Sequence, residues 1–249
     1  MCRHLAYLGS PVALHDLTFG AAHSLADQAR DPTMQEWGDT NPDGWGIGWY
    51  VEGHEAPSLH LTTTPMWDDL AFAEPACDLR AHSFIAAARL ASPGSIIATS
   101  GNAPFREGRW LFSLNGIVHG FHEEVGHMLR EQLSDARRAR LQGDADTEVL
   151  FALVLDRIDA GASPTSALRT LTADVRALTS AHMNFLLADG DRVFATRSGR
   201  SLFLRCDTGV TIVSEPLDDD SGWHPVPDES VIAGHLGPDG PVITVEDLL

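Results

Sequence analysis

Short apolar runs rich in β-branched and aromatic residues occupy both ends of the chain, while the middle follows another periodicity, and this alternation restricts the fold more than any other feature. LAYLG near the start, WGIGWYV at 45–51, SFIAAARL at 83–90 and WLFSLNG at 110–116 each predict a strand. Between 119 and 178 the apolar residues fall at helical spacing, and VLFALVLDRI (149–158) and SALRTLTADVRAL (166–178) predict helices, two or three in all. From 183 onward MNFLLADG, DRVFATRSG, SLFLRCDTG and VTIVSEPL predict short strands separated by Gly and Asp turns, with ESVIAGH as a final one, together an antiparallel meander. Strands, then helices, then strands build an α+β protein in which two stacked sheets carry helices on their outer faces. A length of 249 residues suits one domain over 1–249, and neither an internal repeat nor a low-complexity tract interrupts it. The polar stretch DDDSGWHPVPDE at 218–229 predicts a surface loop or a pocket rim.

Charge narrows the function classes. With 17 Lys and Arg against 35 Asp and Glu, the formal net charge of -18 repels nucleic acid and anionic membrane surfaces. Small zwitterionic substrates remain compatible, because a pocket can be basic inside an acidic envelope. LAYLG is broken by Gly9, Ser10 and Pro11 and is too short for a signal-peptide core or a membrane span, so the expected location is the cytoplasm. Three cysteines, Cys2, Cys77 and Cys206, argue against a disulfide framework and leave Cys2 a free thiol.

Cys2 follows a methionine of the kind commonly removed before a small residue, and removal of Met1 gives Cys2 a free α-amino group. An α-amine with a pKa of about 7.7–8.0 is partly neutral near pH 7 and can accept the thiol proton, so nucleophile and base belong to one residue. The plainer alternative is a small buried residue opening the first strand. Arg3 and His4 offer positive charge beside the thiol, although strand alternation turns only one of them to its side.

MCRHLAYLG, NPDGWGIGWY, NAPF (102–105), LNG (114–116) and DADTE (144–148), in this order, resemble the class II glutamine amidotransferases over about the first 150 positions. The resemblance implies an N-terminal-nucleophile hydrolase fold, a four-layer αββα sandwich, with Cys2 as the nucleophile at the end of a strand. It gives Asn115 and Gly116 the oxyanion hole, and a side-chain amide with a backbone N–H at glycine can meet the developing charge. An Asn-Gly hairpin turn is the alternative for that dipeptide. It assigns the substrate α-carboxylate to Arg89, whose guanidinium has the planar two-donor geometry for it, the alternative being a strand-end arginine reaching solvent. It assigns the α-ammonium to Asp146, which could equally cap a helix beginning at Thr147. Asp43 and Gly44, with Asn41, match the family's loop over the glutamyl pocket. No GK[ST] follows those glycines, so they form no phosphate loop.

HGFHEEVGH places His119, His122, Glu123 and His127 at helical spacings that can gather around a metal, but histidines are spread along the chain and no metal is expected. Trp37, Trp45, Trp49, Trp67, Trp110 and Trp223 are mostly core candidates, with Trp45 and Trp223 as possible pocket walls. Within the family, MCRHLAYLG, NPDGWG and the late SEPLD (214–218) most resemble the amidohydrolases of bacterial ergothioneine biosynthesis. That resemblance implies hydrolysis of γ-glutamyl-hercynylcysteine sulfoxide with no cofactor and no obligatory protein partner. The sequence ends at 249 without a synthase domain, which favours a stand-alone hydrolase. The residues after Arg89, Leu90, Ala91, Ser92 and Pro93, depart from the amidotransferase pattern and put side-chain contacts there in doubt. Alternatives are a glutaminase subunit feeding a separate synthase, a γ-glutamyl peptide hydrolase of other specificity, and a non-catalytic γ-glutamyl binding module.

Overall fold

Period-two alternation along the strands generates the layers. In β1 (Arg3–Ala13) Leu5 and Tyr7 join one buried cluster while Ala6 and Leu8 join another. The computed structural model describes residues 2–35, 38–92 and 95–248; Met1, Trp37 and Pro93, named above, lie outside them. The remaining strands are β2 (Trp45–Trp49), β3 (Ser58–Thr62), β4 (Arg80–Ala88), β5 (Phe105–Glu107), β6 (Trp110–Val118), β7 (Ala181–Ala188), β8 (Arg192–Arg197), β9 (Phe203–Cys206), β10 (Gly209–Val213), β11 (His224–Pro225), β12 (Ser230–Gly237) and β13 (Gly240–Asp247). One sheet runs β11-β9-β10-β1-β4-β2-β3 and the other β13-β12-β8-β7-β6-β5, with every neighbouring pair antiparallel.

Ala6, Leu8, Ile85, Leu111, Leu186 and Ile212 meet between the sheets. Phe84, Ala86 and Ala88 of β4 point the other way, onto α1 (Leu14–Thr18), α2 (Leu25–Arg30) and α3 (Leu70–Ala76). On the second sheet Phe112, Met183, Phe185 and Leu187 face α4 (Glu124–Glu131), α6 (Asp146–Asp159) and α7 (Pro164–Leu178), with the short α5 (Asp135–Arg138) between α4 and α6. Seven consecutive residues of α6, Val149 to Leu155, are buried, which explains why its apolar run is too continuous to show a single face. α7 begins on Ser163, whose hydroxyl accepts from the Ser166 N–H, and carries Pro164 at its first turn. The result is the four-layer αββα sandwich. None of the helices among the described residues is long and apolar enough to cross a membrane.

Two expectations need correction. The strands after 183 are not one meander: β7 and β8 belong to the second sheet, β9, β10 and β11 to the first, and β12 returns to pair with β8. β3, β5, β11 and β13 were not foreseen. β3, β11 and β13, and β5 at the far end of the second sheet, are edge strands with exposed or half-exposed residues, so none needs a continuous apolar run. Trp45 is fully buried and donates its indole N–H to Asp69 at 3.1 Å, so it is core.

Phe185 is wholly buried and packs at 5.2 Å between ring centroids on Phe112, at the junction of the second sheet and its helices. Phe185→Ala is expected to lower unfolding free energy by about 3–5 kcal/mol, read from urea denaturation; a loss below about 1 kcal/mol contradicts this packing.

Candidate active site

The register of β1 decides what surrounds Cys2. Arg3 pairs with Ala88 of β4, so Cys2 and Arg89 lie at neighbouring strand ends. Alternation then turns His4, like Ala6 and Leu8, between the sheets, and Cys2 shares that inward parity while Arg3 faces outward. His4 is fully buried with Nδ1 3.2 Å from Ser113 Oγ, and burial, reinforced by the charge of Arg3, lowers its pKa to about 3. His4 is therefore neutral at physiological pH and brings no charge to the thiol. Arg3 carries the positive charge: burial lowers its pKa, against the opposing pull of Glu215.

Cys2, Arg89, Leu114, Gly116, His122 and Asp146 line a single pocket. β5 pairs β6 only along Trp110–Phe112, so beyond Phe112 one backbone edge of β6 is not covered by β5. Gly116 is required here by close approach, since a Cβ would lie 1.9 Å from the His182 carbonyl oxygen. Asn115 is buried, and its Nδ2 donates to Ser214 Oγ at 3.3 Å. The Arg89 guanidinium, half-buried, donates to the Ile96 carbonyl at 3.3 Å and to Asn102 Oδ1 at 3.4 Å. Gly101 packs against it, and a side chain there would have to displace the guanidinium.

Asp146 is the first residue of α6, one position inside the expected cap, and accepts from the Thr147 N–H at 2.7 Å and hydroxyl at 3.1 Å. Burial raises its pKa, opposed by those two hydrogen bonds and by the charges of His122 and Arg89. A thiol, a guanidinium and a desolvated carboxylate thus converge around one space. That set can hold a zwitterionic head group while a nucleophile addresses an acyl carbon.

Asp43 and Gly44 are not among the lining residues. The Asp43 N–H donates to the Arg89 carbonyl at 3.0 Å, its carboxylate accepts from the Ala91 N–H at 2.8 Å, and the Gly44 carbonyl accepts from the Arg89 N–H at 2.9 Å. They hold the backbone on both sides of Arg89. Gly44 has φ of 99°, and a Cβ would lie 2.3 Å from the Thr62 carbonyl oxygen, so glycine is needed. Trp223 packs on the outer helical cluster and donates to Asp218 at 2.8 Å, away from the pocket. Of the HGFHEEVGH histidines only His127 is in α4; His119 and His122 precede it in a turn, so the three share no helix face.

Sequence reasoning missed two residues. Asn102, in NAPF, donates from Nδ2 to the Thr62 carbonyl at 2.7 Å, which turns its Oδ1 toward Arg89. Glu215, in SEPLD, is fully buried: it pairs with Arg3 at 3.2 Å and accepts from His23 at 3.0 Å, the Thr33 N–H at 2.9 Å and hydroxyl at 2.7 Å, and the Met34 N–H at 3.0 Å. Burial pushes its pKa up, but the bonds from His23 and Thr33 and the Arg3 charge outweigh it and hold the carboxyl below its usual range. Both motifs were visible in the sequence; their partners, distant along the chain, were not.

The sequence profile of the class-II glutamine amidotransferases matches residues 32–207. Gamma-glutamyl-hercynylcysteine sulfoxide hydrolase of Mycolicibacterium smegmatis is 36% identical over 235 residues, covering 93% of this chain and 95% of that protein. The hydrolase of the same name from Mycobacterium tuberculosis H37Rv is 36% identical over 93% of this chain and 92% of its own length. Among solved structures, a glutamine aminotransferase class-II domain protein from Silicibacter pomeroyi superposes with a TM-score of 0.70 at 23% identity, covering all of both chains. Glutamine phosphoribosylpyrophosphate amidotransferase of B. subtilis gives a TM-score of 0.70 at 16% identity, covering all of this chain and 49% of that one.

Removing one member of a buried ion pair strands the other charge, so Glu215→Gln is expected to cost about 3–5 kcal/mol in urea denaturation. Because the folded pKa of Glu215 is depressed, its contribution is present above the unfolded value of about 4.3 and lost as pH falls through the lower folded value. Glu215→Gln should therefore lack that part of the acid destabilisation, and a variant as stable as wild type contradicts a structural role for the pair.

Proposed function

The chain belongs to the class-II glutamine amidotransferases, and we propose that it hydrolyses a γ-glutamyl amide by attack of Cys2, with γ-glutamyl-hercynylcysteine sulfoxide as substrate. The observation that carries the chemistry is the convergence of Cys2, Gly116, Arg89 and Asp146 on one pocket. Arg89 takes the α-carboxylate and Asp146 the α-ammonium of the glutamyl head, which directs the γ-carbonyl toward the thiol. The leaving amine is taken from the two mycobacterial hydrolases, similar over nearly their whole length.

Processing immediately before Cys2 frees its α-amine, which accepts the thiol proton as sulfur attacks the carbonyl carbon of the γ-amide. Negative charge moves to the former amide oxygen, where the Gly116 N–H and the Asn115 side-chain amide stabilise it. Collapse breaks the C–N bond, and the proton held by the α-amine passes to the departing nitrogen. The γ-glutamyl thioester that remains is attacked by water, whose proton the α-amine accepts; the intermediate collapses, sulfur leaves and takes that proton from the α-amine, and glutamate is released. His4, neutral and enclosed, takes no part in these proton transfers.

Mass spectrometry of products from glutamine, γ-glutamylcysteine and γ-glutamyl-hercynylcysteine sulfoxide tests this reading. Glutamate and hercynylcysteine sulfoxide should form fastest from the third, the active chain should begin at Cys2 by intact mass, and Cys2→Ala should abolish turnover and the thioester. Steady ammonia release from glutamine as the preferred reaction would instead identify a glutaminase.

Because desolvation raises the Asp146 pKa, pairing with an ammonium is lost as pH falls through a value above the ordinary aspartate range of about 3.9. Glutamine binding to Cys2→Ala, followed by calorimetry, should weaken over that interval, since the α-groups of the ligand do not titrate there. Adding Asp146→Asn should weaken binding throughout and flatten the pH dependence; an unchanged profile places the ammonium elsewhere.

A further inference from the structure

Resting on the oxyanion reading above, we propose that Ser214 is a positioning residue that sets the roll of the Asn115 amide and so points its donor edge at the nucleophile's strand. The Ser214 hydroxyl accepts from the His4 N–H at 3.0 Å and from Asn115 Nδ2 at 3.3 Å, and donates to the His4 carbonyl at 3.3 Å. A hydroxyl has one proton and two acceptor sites, so all of its capacity is engaged. In this arrangement the proton is directed at a carbonyl and one lone pair takes a backbone N–H, and the remaining lone pair takes the NH2 of Asn115.

That constraint has a direct consequence at the thiol. Ser214 lies against His4, and Cys2 is the next residue toward the chain start on the same inward face of β1. The NH2 of Asn115 is thereby turned to the start of β1; one of its N–H bonds goes to Ser214, and the other meets no acceptor among the described residues. Its Oδ1 is buried without a hydrogen-bond partner among the described residues, an arrangement that costs free energy. Ser214, Asn115 and His4 are all buried to 1% exposure or less, so water is a poor substitute for the hydroxyl. The hydroxyl is thus a fixed bridge between the strand that bears the nucleophile and the amide that meets the oxyanion.

The test is a double-mutant cycle on the full chain with γ-glutamyl-hercynylcysteine sulfoxide, measuring kcat and KM separately. Loss of a whole oxyanion donor lowers kcat by about a hundredfold to a thousandfold, so Ser214→Ala, which misorients the donor, is expected to lower kcat by on the order of tenfold to a hundredfold with KM little changed. In an Asn115→Ala background the same substitution should have no further effect on kcat. Ser214→Cys, close in size but a weak acceptor, should reproduce the defect and serves if Ser214→Ala does not fold. Wild-type kcat in both Ser214 variants, or a Ser214 effect that multiplies with that of Asn115→Ala, overturns the inference while the oxyanion reading stands. An Asn115→Ala variant with full kcat overturns that reading and the inference with it.

Discussion

Everything at the candidate site depends on β1 lying between β4 and β10 with its first residues held on both faces. The register with β4 places Cys2 beside Arg89, and the register with β10 carries Ser214 and Glu215 to the same strand end. These two consecutive residues act on opposite sides: Ser214 takes the backbone of His4 between the sheets, and Glu215 takes the guanidinium of Arg3 on the outer face. A residue at the very start of a strand is otherwise where a chain frays, because the ladder ends there. The grip from a strand distant in sequence adds to the pairing of Arg3 with Ala88 at that end.

The same alternation that sorts Leu5 and Tyr7 from Ala6 and Leu8 into two cores sorts Cys2 and His4 from Arg3. Packing and chemistry therefore share one geometric rule, and a one-residue slip of β1 would expose the core set and turn the thiol away from the second sheet together. Arg89 is braced in a comparable way: Asp43 and Gly44 hold its backbone, Asn102 and Gly101 its guanidinium.

Much of this was legible in the sequence, for specific reasons. The αββα layering follows from runs such as SFIAAARL and WLFSLNG, long enough to carry alternation, and from helices as apolar as VLFALVLDRI. The edge strands escaped because half-exposed residues such as those of GPVITVED give no buried stripe to detect. The motifs holding Cys2, Arg89, Gly116 and Asp146 were visible as motifs, and the fold brings all four to one pocket. Asp43 and Gly44 were visible too, but a motif does not show that they bond the backbone on either side of Arg89. Glu215 shows the same limit, since its partners Arg3, His23 and Thr33 lie about 180 to 210 positions earlier in the chain, and pairing across such a span depends on the sheet topology.

The electrostatics of the pocket differ from those of the surface around it. The net charge of -18 is spread over an exterior where Arg109, Arg137, Arg176 and Arg205 are engaged by acidic neighbours. Inside the pocket one guanidinium and one carboxylate are set apart, each within electrostatic reach of the other, and burial disfavours the ionised form of the carboxylate. A ligand bearing only a carboxylate satisfies Arg89 but leaves Asp146 desolvated and unpaired. A ligand bearing both charges satisfies both groups, and its ammonium restores the ionised state of Asp146 that burial opposes. In the binding mode proposed above, selectivity for a free amino-acid head group would follow from the difference between these two cases, the cost of a carboxylate left without a countercharge adding to the attraction of the matched pair.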